Sequence, residues 1–226
     1  DREADALIRK QLKEVFPQDL ILSEENDSTP KDYTGRVWMV DPLNGTKSFI
    51  KGKDTFAIVI GLVENGIPIF GCITLPAQNK TFYAERGKGA FEKIDGRFNK
   101  ITTSDVHEIK DSRLITREPS GEIRPIEEKL NLIPFLERIE EGSGAKLCTI
   151  ATGDAEAHIN TNLRAGKWDV AAPQIILEEA GGLVTDLDGK YIDYKKKSVN
   201  LERSFVASAN KELHQKIINE LIKLKV

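Results

Sequence analysis

The chain reads Val37-Trp38-Met39-Val40-Asp41-Pro42-Leu43-Asn44-Gly45-Thr46 where an apolar run meets a polar loop. The four apolar residues, two of them β-branched, predict a short buried strand that ends in a loop at Asp41-Pro42. Polar side chains at such strand ends collect over a rigid sheet, which makes Asp41 and Asn44 candidates for a functional site. Gly45 and Thr46 follow as a glycine-led helix start, whose backbone N–H groups and dipole favour an anionic phosphate.

The segments around this stretch predict a helix followed by an antiparallel meander. Apolar residues recur at helical spacing from residue 1 to residue 16, and Pro17 ends that helix. The sequence Glu64-Asn65-Gly66 is a hairpin signal between two β-branched runs. Short strands are predicted at 20–22, 56–63, 67–75 and 81–84.

The second half of the chain predicts a β/α region that starts near Leu114. Gly181-Gly182 closes its most apolar helix. Because the sequence contains no internal repeat and no low-complexity linker, we expect two lobes, at 1–110 and 111–226, packed against each other. Helices are predicted at 145–151, 170–179 and 212–224, and strands at 183–185 and 205–207.

Composition and charge exclude several classes of function. The 226 residues include 33 basic and 36 acidic side chains, mixed along the chain, so no broad positive field is available for a nucleic-acid polymer. No apolar run reaches the length of about eighteen residues that a membrane span needs. Cys72 and Cys148 lie in apolar contexts without a paired His, which predicts buried thiols in a reducing cytoplasm and excludes a zinc site. Because Asp1 begins directly on a helical pattern, we expect further residues to precede it.

Polar side chains suited to a metal lie at four breaks in the predicted secondary structure, at Glu24, Asp41, Asn44 and Asp169. Converging carboxylates without basic partners repel one another unless a cation offsets them, and hard oxygen ligands suit Mg²⁺. Taken singly, each residue reads more simply as a helix cap or a solvated loop residue, and Asp169 is a good cap candidate. A separation of more than ~8 Å between the Asp41 and Asp169 carboxylates would exclude a shared ion.

Two motifs together resemble those of the inositol monophosphatase superfamily. These are 41–46 and Trp168-Asp169-Val170-Ala171-Ala172, and the family's own metal motif reads Asp-Pro-Ile/Leu-Asp-Gly-Thr. The likeness covers nearly the whole chain and implies a layered αβαβα sandwich of the inositol monophosphatase and fructose-1,6-bisphosphatase type. It also implies two or three Mg²⁺ ions per site. By this resemblance, Glu24, Asp41 and the carbonyl of Leu43 hold one ion, and Asp41, Asn44 and Asp169 hold a second.

The resemblance also implies how the reaction proceeds. Asp1 and Thr46 would orient, with Glu24, a metal-bound water for in-line attack on phosphorus, while phosphate sits at Gly45 and Thr46. Such hydrolysis needs no covalent intermediate. The histidines stand apart from these motifs, which disfavours histidine-phosphatase chemistry; they are His107, His158 and His214.

Details of the sequence favour a nucleotide among the family's substrates. Lys47-Ser48-Phe49 and Ser23-Glu24-Glu25 are similar to the wording of 3′(2′),5′-bisphosphate nucleotidases. The segment 142–146 resembles the one in which a Ser and a Lys contact the nucleotide, which here are Ser143 and Lys146. Arg117 resembles a further substrate-binding Arg, although Glu118-Pro119 follows it where the nucleotidases have Ser-His. A solvated helix lysine is the simpler interpretation of Lys146.

The resemblance therefore predicts a monomeric or homodimeric phosphatase of 3′-phosphoadenosine 5′-phosphate, a small phosphorylated substrate. An inositol-1-phosphate or sugar phosphatase on the same fold is the alternative. The inositol enzymes usually carry a Glu shortly before Trp-Asp, whereas residues 161–167 contain no acid. Asn44 replaces the expected Asp and removes one negative charge, which leaves a catalytically impaired protein that binds a phosphorylated ligand as an interpretation of another class.

Overall fold

The computed structural model describes residues 1–26, 33–116, 125–141, 145–163 and 165–226. The α-helices in these ranges are α1 Arg2–Val15, α2 Thr46–Ile50, α3 Pro125–Leu130, α4 Lys146–Ala151, α5 Lys167–Glu179 and α6 Lys211–Lys223. The strands are β1 Leu20–Ser23, β2 Arg36–Asn44, β3 Ala57–Glu64, β4 Ile67–Leu75, β5 Lys80–Glu85, β6 Gly89–Ile94, β7 Arg97–Ile101, β8 Arg113–Thr116, β9 Glu137–Glu140, β10 Ala157–Asn160, β11 Leu183–Asp186 and β12 Phe205–Ser208. In these ranges no helix combines the length and the apolar character that crossing a bilayer requires.

The first sheet follows the chain in the order β1 to β7, with β1 and β2 parallel and every later pair antiparallel. The predicted hairpin between β3 and β4 is confirmed, since Asn65 and Gly66 both adopt positive φ, at 51° and 84°. The predicted meander is likewise confirmed. The sheet continues through β6 and β7, which were not predicted because charged side chains interrupt both strands and β7 is largely exposed.

The second sheet has the order β11-β12-β10-β8-β9. Strands β8, β9 and β10 run parallel, whereas β12 is antiparallel to both β10 and β11. Because parallel strands end at the same edge, the loops that follow β8, β9 and β10 leave the sheet on one side. The chain after β10 leads directly to α5.

Helix α5 lies against the first sheet through a contact of very small residues. Gly61 of β3 and Gly71 of β4 are direct cross-strand partners beneath it. A Cβ atom on Gly71 would lie 2.5 Å from the carbonyl oxygen of Ala172, and one on Gly61 would lie 2.9 Å from the Ala172 nitrogen. Real Cβ atoms do not approach other atoms so closely, so glycine at both positions is what lets α5 reach the sheet.

The elements stack in five layers, from α1 through the first sheet, α4 and α5, and the second sheet to α6. Buried residues of both sheets and of α4 and α5 form one apolar cluster. A second cluster lies between the far face of the second sheet and α6. The predicted layered αβαβα sandwich is confirmed. The first sheet ends before residue 110 and the second begins after it, while the two-lobe division at 110 and 111 stays a prediction.

The predicted end of β2 is wrong. The strand does not stop at Asp41-Pro42 but continues to Asn44, with a bulge between Asp41 and Asn44 in its pairing with β3. Pro42 lies inside that bulge, where a strand can accept a residue that has no N–H to donate. Helix α5 also begins at Lys167, three residues before the predicted start, and it accommodates Pro173 in its interior.

Candidate active site

The bulge in β2 aims two polar side chains at the same place. Residues three apart on a regular strand point to opposite faces, and the extra residue of a bulge changes that alternation. Asn44 Nδ2 consequently donates a hydrogen bond to Asp41 Oδ2 at 2.7 Å, and the Leu43 N–H donates to Asp41 Oδ1 at 3.0 Å. Asp41 is almost wholly buried. The bulge thus holds a carboxylate with both oxygens engaged.

The first turn of α5 brings a second carboxylate to Asn44. Asp169 accepts the Gly166 N–H at Oδ2 (2.7 Å) and the Asn44 amide at Oδ1 (2.9 Å). Asp169 therefore caps the helix and takes part in the site at the same time, because each contact uses a different oxygen. Two bonds from one nitrogen also bring Asp41 and Asp169 well within the ~8 Å that a shared ion allows.

Glu24, the residue directly after β1, completes the cluster. Its backbone N–H donates to the Val40 carbonyl at 3.1 Å, which fixes it beside the bulge in β2. Burial, the charge of Asp41 and a hydrogen bond with the Asp41 carboxyl raise the pKa of Glu24 to about 7. Burial and the charge of Asp169 raise the pKa of Asp41 to about 6. Burial first, and then the charge of Glu24, raises the pKa of Asp169 to about 6.

In the described part of the chain, no basic side chain contributes to any of these three shifts. Carboxylate and carbonyl oxygens are the donors that Mg²⁺ prefers, so the chemistry of the cluster fits a hard cation. Among the residues that the structure describes, however, no three His, Cys, Asp or Glu side chains are arranged to hold one metal ion. The NH₂ group of Asn44 instead bridges two of the three carboxylates.

The neighbouring candidates lie on the turn into α2. Gly45 has φ 85°, a left-handed conformation that favours glycine, and it precedes the first residue of the helix. The Thr46 hydroxyl donates to the Leu43 carbonyl at 3.0 Å. Asp1 occupies the N-cap position of α1 without capping it through its side chain. Within the described ranges, no hydrogen bond joins Asp1 to Thr46, and their shared role in orienting a water stays a prediction.

Comparison with known proteins identifies the family. The sequence model of the inositol monophosphatase family matches residues 1–225. The chain belongs to this family. A histidinol-phosphatase of Mycobacterium tuberculosis is 35% identical over 193 residues, which are 84% of this chain and 73% of that protein.

Two further proteins show the range of the family. The 3′(2′),5′-bisphosphate nucleotidase CysQ of Aggregatibacter actinomycetemcomitans is 32% identical over 213 residues, which are 90% of this chain and 78% of that protein. The structure of an inositol monophosphatase from Anabaena has a TM-score of 0.83 at 27% identity, covering 99% of this chain and 86% of that one. The expected family and fold are therefore confirmed, and a bisphosphate nucleotidase is among the relatives.

The structure describes one of the three candidate substrate-binding residues of this inositol monophosphatase family member. Arg117 and Ser143 lie outside the described residues. Lys146 is the first residue of α4 and is partly buried. Burial and then the nearby charge of Lys146 lower the pKa of His158, on β10, to about 4. Lys146 therefore lies beside the second sheet.

Lys167, which was not predicted as a site residue, is a lysine that is almost wholly buried in this family member. Its ammonium donates to the carbonyls of Tyr194, at 2.9 Å, and Lys196, and it lies 3.7 Å from the ring centre of Tyr33. The Lys167 N–H also donates to the Val199 carbonyl at 2.9 Å. The segment before β12 is thus hydrogen-bonded to the first residue of α5, two residues before Asp169. Only the position of a lysine directly before Trp-Asp could have indicated this from sequence.

Proposed function

We propose that this chain is a Mg²⁺-dependent phosphomonoester hydrolase whose site is the cluster of Glu24, Asp41 and Asp169. One observation carries the proposal. Three carboxyl groups converge where β1, β2 and α5 meet, burial and mutual repulsion raise their pKa values, and no basic side chain in the part of the chain that the structure describes offsets them. A protein retains such an arrangement when a cation supplies the missing charge. The family of the chain supports the same conclusion.

Each residue of the proposed site would have its own role in the reaction. Glu24, Asp41 and the Leu43 carbonyl would bind the first Mg²⁺, which lowers the pKa of a bound water and offsets charge on the phosphoryl oxygens. Thr46 would orient the attacking water, and its hydrogen bond of 3.0 Å to the Leu43 carbonyl supports a position beside the ion. Asp1 would join it from the start of α1. The left-handed turn at Gly45 would present backbone N–H groups to the phosphate.

For the substrate we propose 3′-phosphoadenosine 5′-phosphate. The nucleotidase-like wording around Glu24 and Thr46 supports this choice, as does the CysQ relative at 32% identity. Strands β8 and β9 are parallel and end at one edge, and the segments that carry Arg117, Ser143 and Lys146 follow these two strands. A lysine at that edge suits the phosphate that is not cleaved.

A different phosphate ester is the second candidate, and two of the relatives support it. The histidinol-phosphatase is 35% identical. A fructose-1,6-bisphosphatase/inositol-1-monophosphatase of Thermotoga maritima is 32% identical over 226 residues, 98% of this chain and 82% of that protein. These values match or exceed that of CysQ, so identity alone does not select the nucleotide.

A third candidate is a protein that binds a phosphorylated ligand and turns it over slowly. Asn44 carries this interpretation, because its amide donates hydrogen bonds to Asp41 and Asp169 where the family motif has a third carboxylate. Direct binding of the substrate, measured by calorimetry in Mg²⁺, separates this candidate from the first two. Tight binding without phosphate release would establish it.

The deciding experiment measures phosphate release with Mg²⁺ from four esters: 3′-phosphoadenosine 5′-phosphate, inositol 1-phosphate, fructose 1,6-bisphosphate and histidinol phosphate. The nucleotide should give the highest kcat/KM. Lys146→Ala should raise KM for it by roughly tenfold to a hundredfold, and far less for adenosine 3′-monophosphate, since an ionic hydrogen bond contributes ~1.5 to 3 kcal/mol. Lys223→Ala, on α6, is the matched control. Equal effects of Lys146→Ala on both nucleotides would refute its role.

A further inference from the structure

Asn44 forms a bridge of hydrogen bonds at the centre of the candidate site. Its Nδ2 atom donates to Asp41 Oδ2 at 2.7 Å and to Asp169 Oδ1 at 2.9 Å. An amide nitrogen has two N–H groups, so these two bonds use its whole donor capacity. The reversed amide would place its oxygen against two carboxylate oxygens, which repel it. The two carboxylates therefore select the orientation that presents NH₂ to both.

The bridging nitrogen lies between the same two carboxylates that a divalent ion would join. A divalent cation at this point would take oxygens of Asp41 and Asp169 as ligands, the same two carboxylates that the amide joins. The amide also supplies the same sign of charge, because its N–H groups are partially positive. An aspartate at position 44 would do the opposite and add a third negative charge at this point.

We infer that Asn44 takes the place of one divalent cation, so that this chain binds one cation fewer than its Asn44→Asp variant. The inference rests on the proposed function, because Glu24, Asp41 and the Leu43 carbonyl are taken to hold the remaining ion. It differs from the simpler view that Asn44 is a weak ligand through its amide oxygen. A weak ligand would lower the affinity for the second ion, whereas a bridge removes the need for it.

The number of bound ions is the direct test, with Mn²⁺ as the probe. Free Mn²⁺ is followed by electron paramagnetic resonance during titration of the native chain and of Asn44→Asp at the same protein concentration. The variant should bind one more Mn²⁺ per chain. Asn79→Asp is the matched control, because Asn79 Nδ2 also donates to a carboxylate, that of Asp95, at 2.8 Å but in an exposed turn after β4. The control should bind the native number.

Thermal unfolding in chelator supplies a second readout that needs no turnover. Asn44→Asp loses both bridging bonds and places a third carboxylate beside two others, so its Tm in chelator should fall by roughly 5 to 10 °C. Saturating Mn²⁺ should restore it. Asn44→Leu removes the bridge without adding charge, and it should lose stability in chelator without gaining a bound ion. This variant keeps the test decisive if Asn44→Asp does not fold in chelator.

Equal Mn²⁺ counts for the native chain and Asn44→Asp would overturn the inference, as would unchanged Tm values of both Asn44 variants in chelator. Failure of the proposed function has a different signature. A native chain that releases no phosphate from any ester, yet binds one Mn²⁺ fewer than Asn44→Asp, would support the bridge and refute the hydrolase. A native chain that binds no Mn²⁺ at all, with a variant that also binds none, would overturn both.

Discussion

The contact between α5 and the two glycines of the first sheet predicts how sensitive the site is to a single methyl group. In Gly71→Ala, the new Cβ would lie 2.5 Å from the Ala172 carbonyl oxygen and 2.7 Å from Ile175 Cγ2. Ordinary contacts of this kind begin near ~3.4 Å, so α5 must retreat by about 1 Å at this point. Asp169 lies one turn earlier on the same helix and would move with it.

The size of the effect follows from this displacement. Overpacking of a core typically costs ~1 to 3 kcal/mol, which for a chain of this length lowers Tm by roughly 2 to 12 °C. The bond from Asn44 Nδ2 to Asp169, now 2.9 Å, would lengthen beyond hydrogen-bonding range. Since a ~1 Å misplacement can cost on the order of a hundredfold in rate, kcat should fall by about that factor.

The assay combines thermal unfolding with kcat at saturating Mg²⁺ and substrate. Gly61→Ala presses on the same helix but less closely, at 2.9 Å from the Ala172 nitrogen, and should give a smaller loss of both Tm and kcat. Gly96→Ala is the control. Its φ of +82° strains an alanine, yet no atom lies within 4 Å of the new Cβ, so Tm should fall slightly while kcat stays native. A native kcat in Gly71→Ala, or an equal loss in Gly96→Ala, would refute the reasoning.

Two further predictions concern buried groups other than the three carboxylates. Burial lowers the pKa of His214 to about 4, below its usual 6.5, so its stabilising effect is complete above pH ~6.5 and disappears as the pH falls toward 4. Denaturant unfolding at pH 7 and pH 4 should show the native chain losing roughly 3 kcal/mol more than His214→Gln, and equal losses would contradict this. Lys167→Met leaves the Tyr194 and Lys196 carbonyls without their donor, so Tm should fall by roughly 5 °C and kcat should fall with it. The control Lys190→Met, at an exposed lysine, should keep the native Tm and kcat. A native Tm and kcat for Lys167→Met would show that these hydrogen bonds to α5 are unimportant.

Much of the fold could be predicted from the sequence because its strongest elements are locally consistent. Helix α1 has a clear apolar periodicity and acids in its first turn, and β4 was predicted at its observed limits. Strands β6 and β7 were missed because charged side chains interrupt their alternation, and their place in the sheet depends on pairing with β5. The start of α5 was misplaced because Gly166 and Asp169 form the helix start in space, which periodicity does not show.

The members of the candidate site were also predictable, whereas their contacts were not. Glu24, Asp41, Asn44 and Asp169 all lie at or near breaks in regular structure, and the structure brings them together. The bulge that turns Asn44 toward Asp41 depends on pairing with β3, so sequence periodicity indicated a strand end instead. Which atoms of the Asn44 amide face the carboxylates depends on Asp169, more than a hundred residues away in the chain.

Phosphate release in Mg²⁺ by the native chain, by Asp41→Asn and by the exposed-residue control Asp105→Asn tests the central claim most directly. Asp41 contacts Glu24, Asn44 and the Leu43 N–H, so the proposed site cannot form without its charge. The native chain and Asp105→Asn should release phosphate at equal rates, chelator should abolish release, and Asp41→Asn should lower kcat by about a hundredfold or more. Release that persists in chelator, or a native rate in Asp41→Asn, would contradict the account.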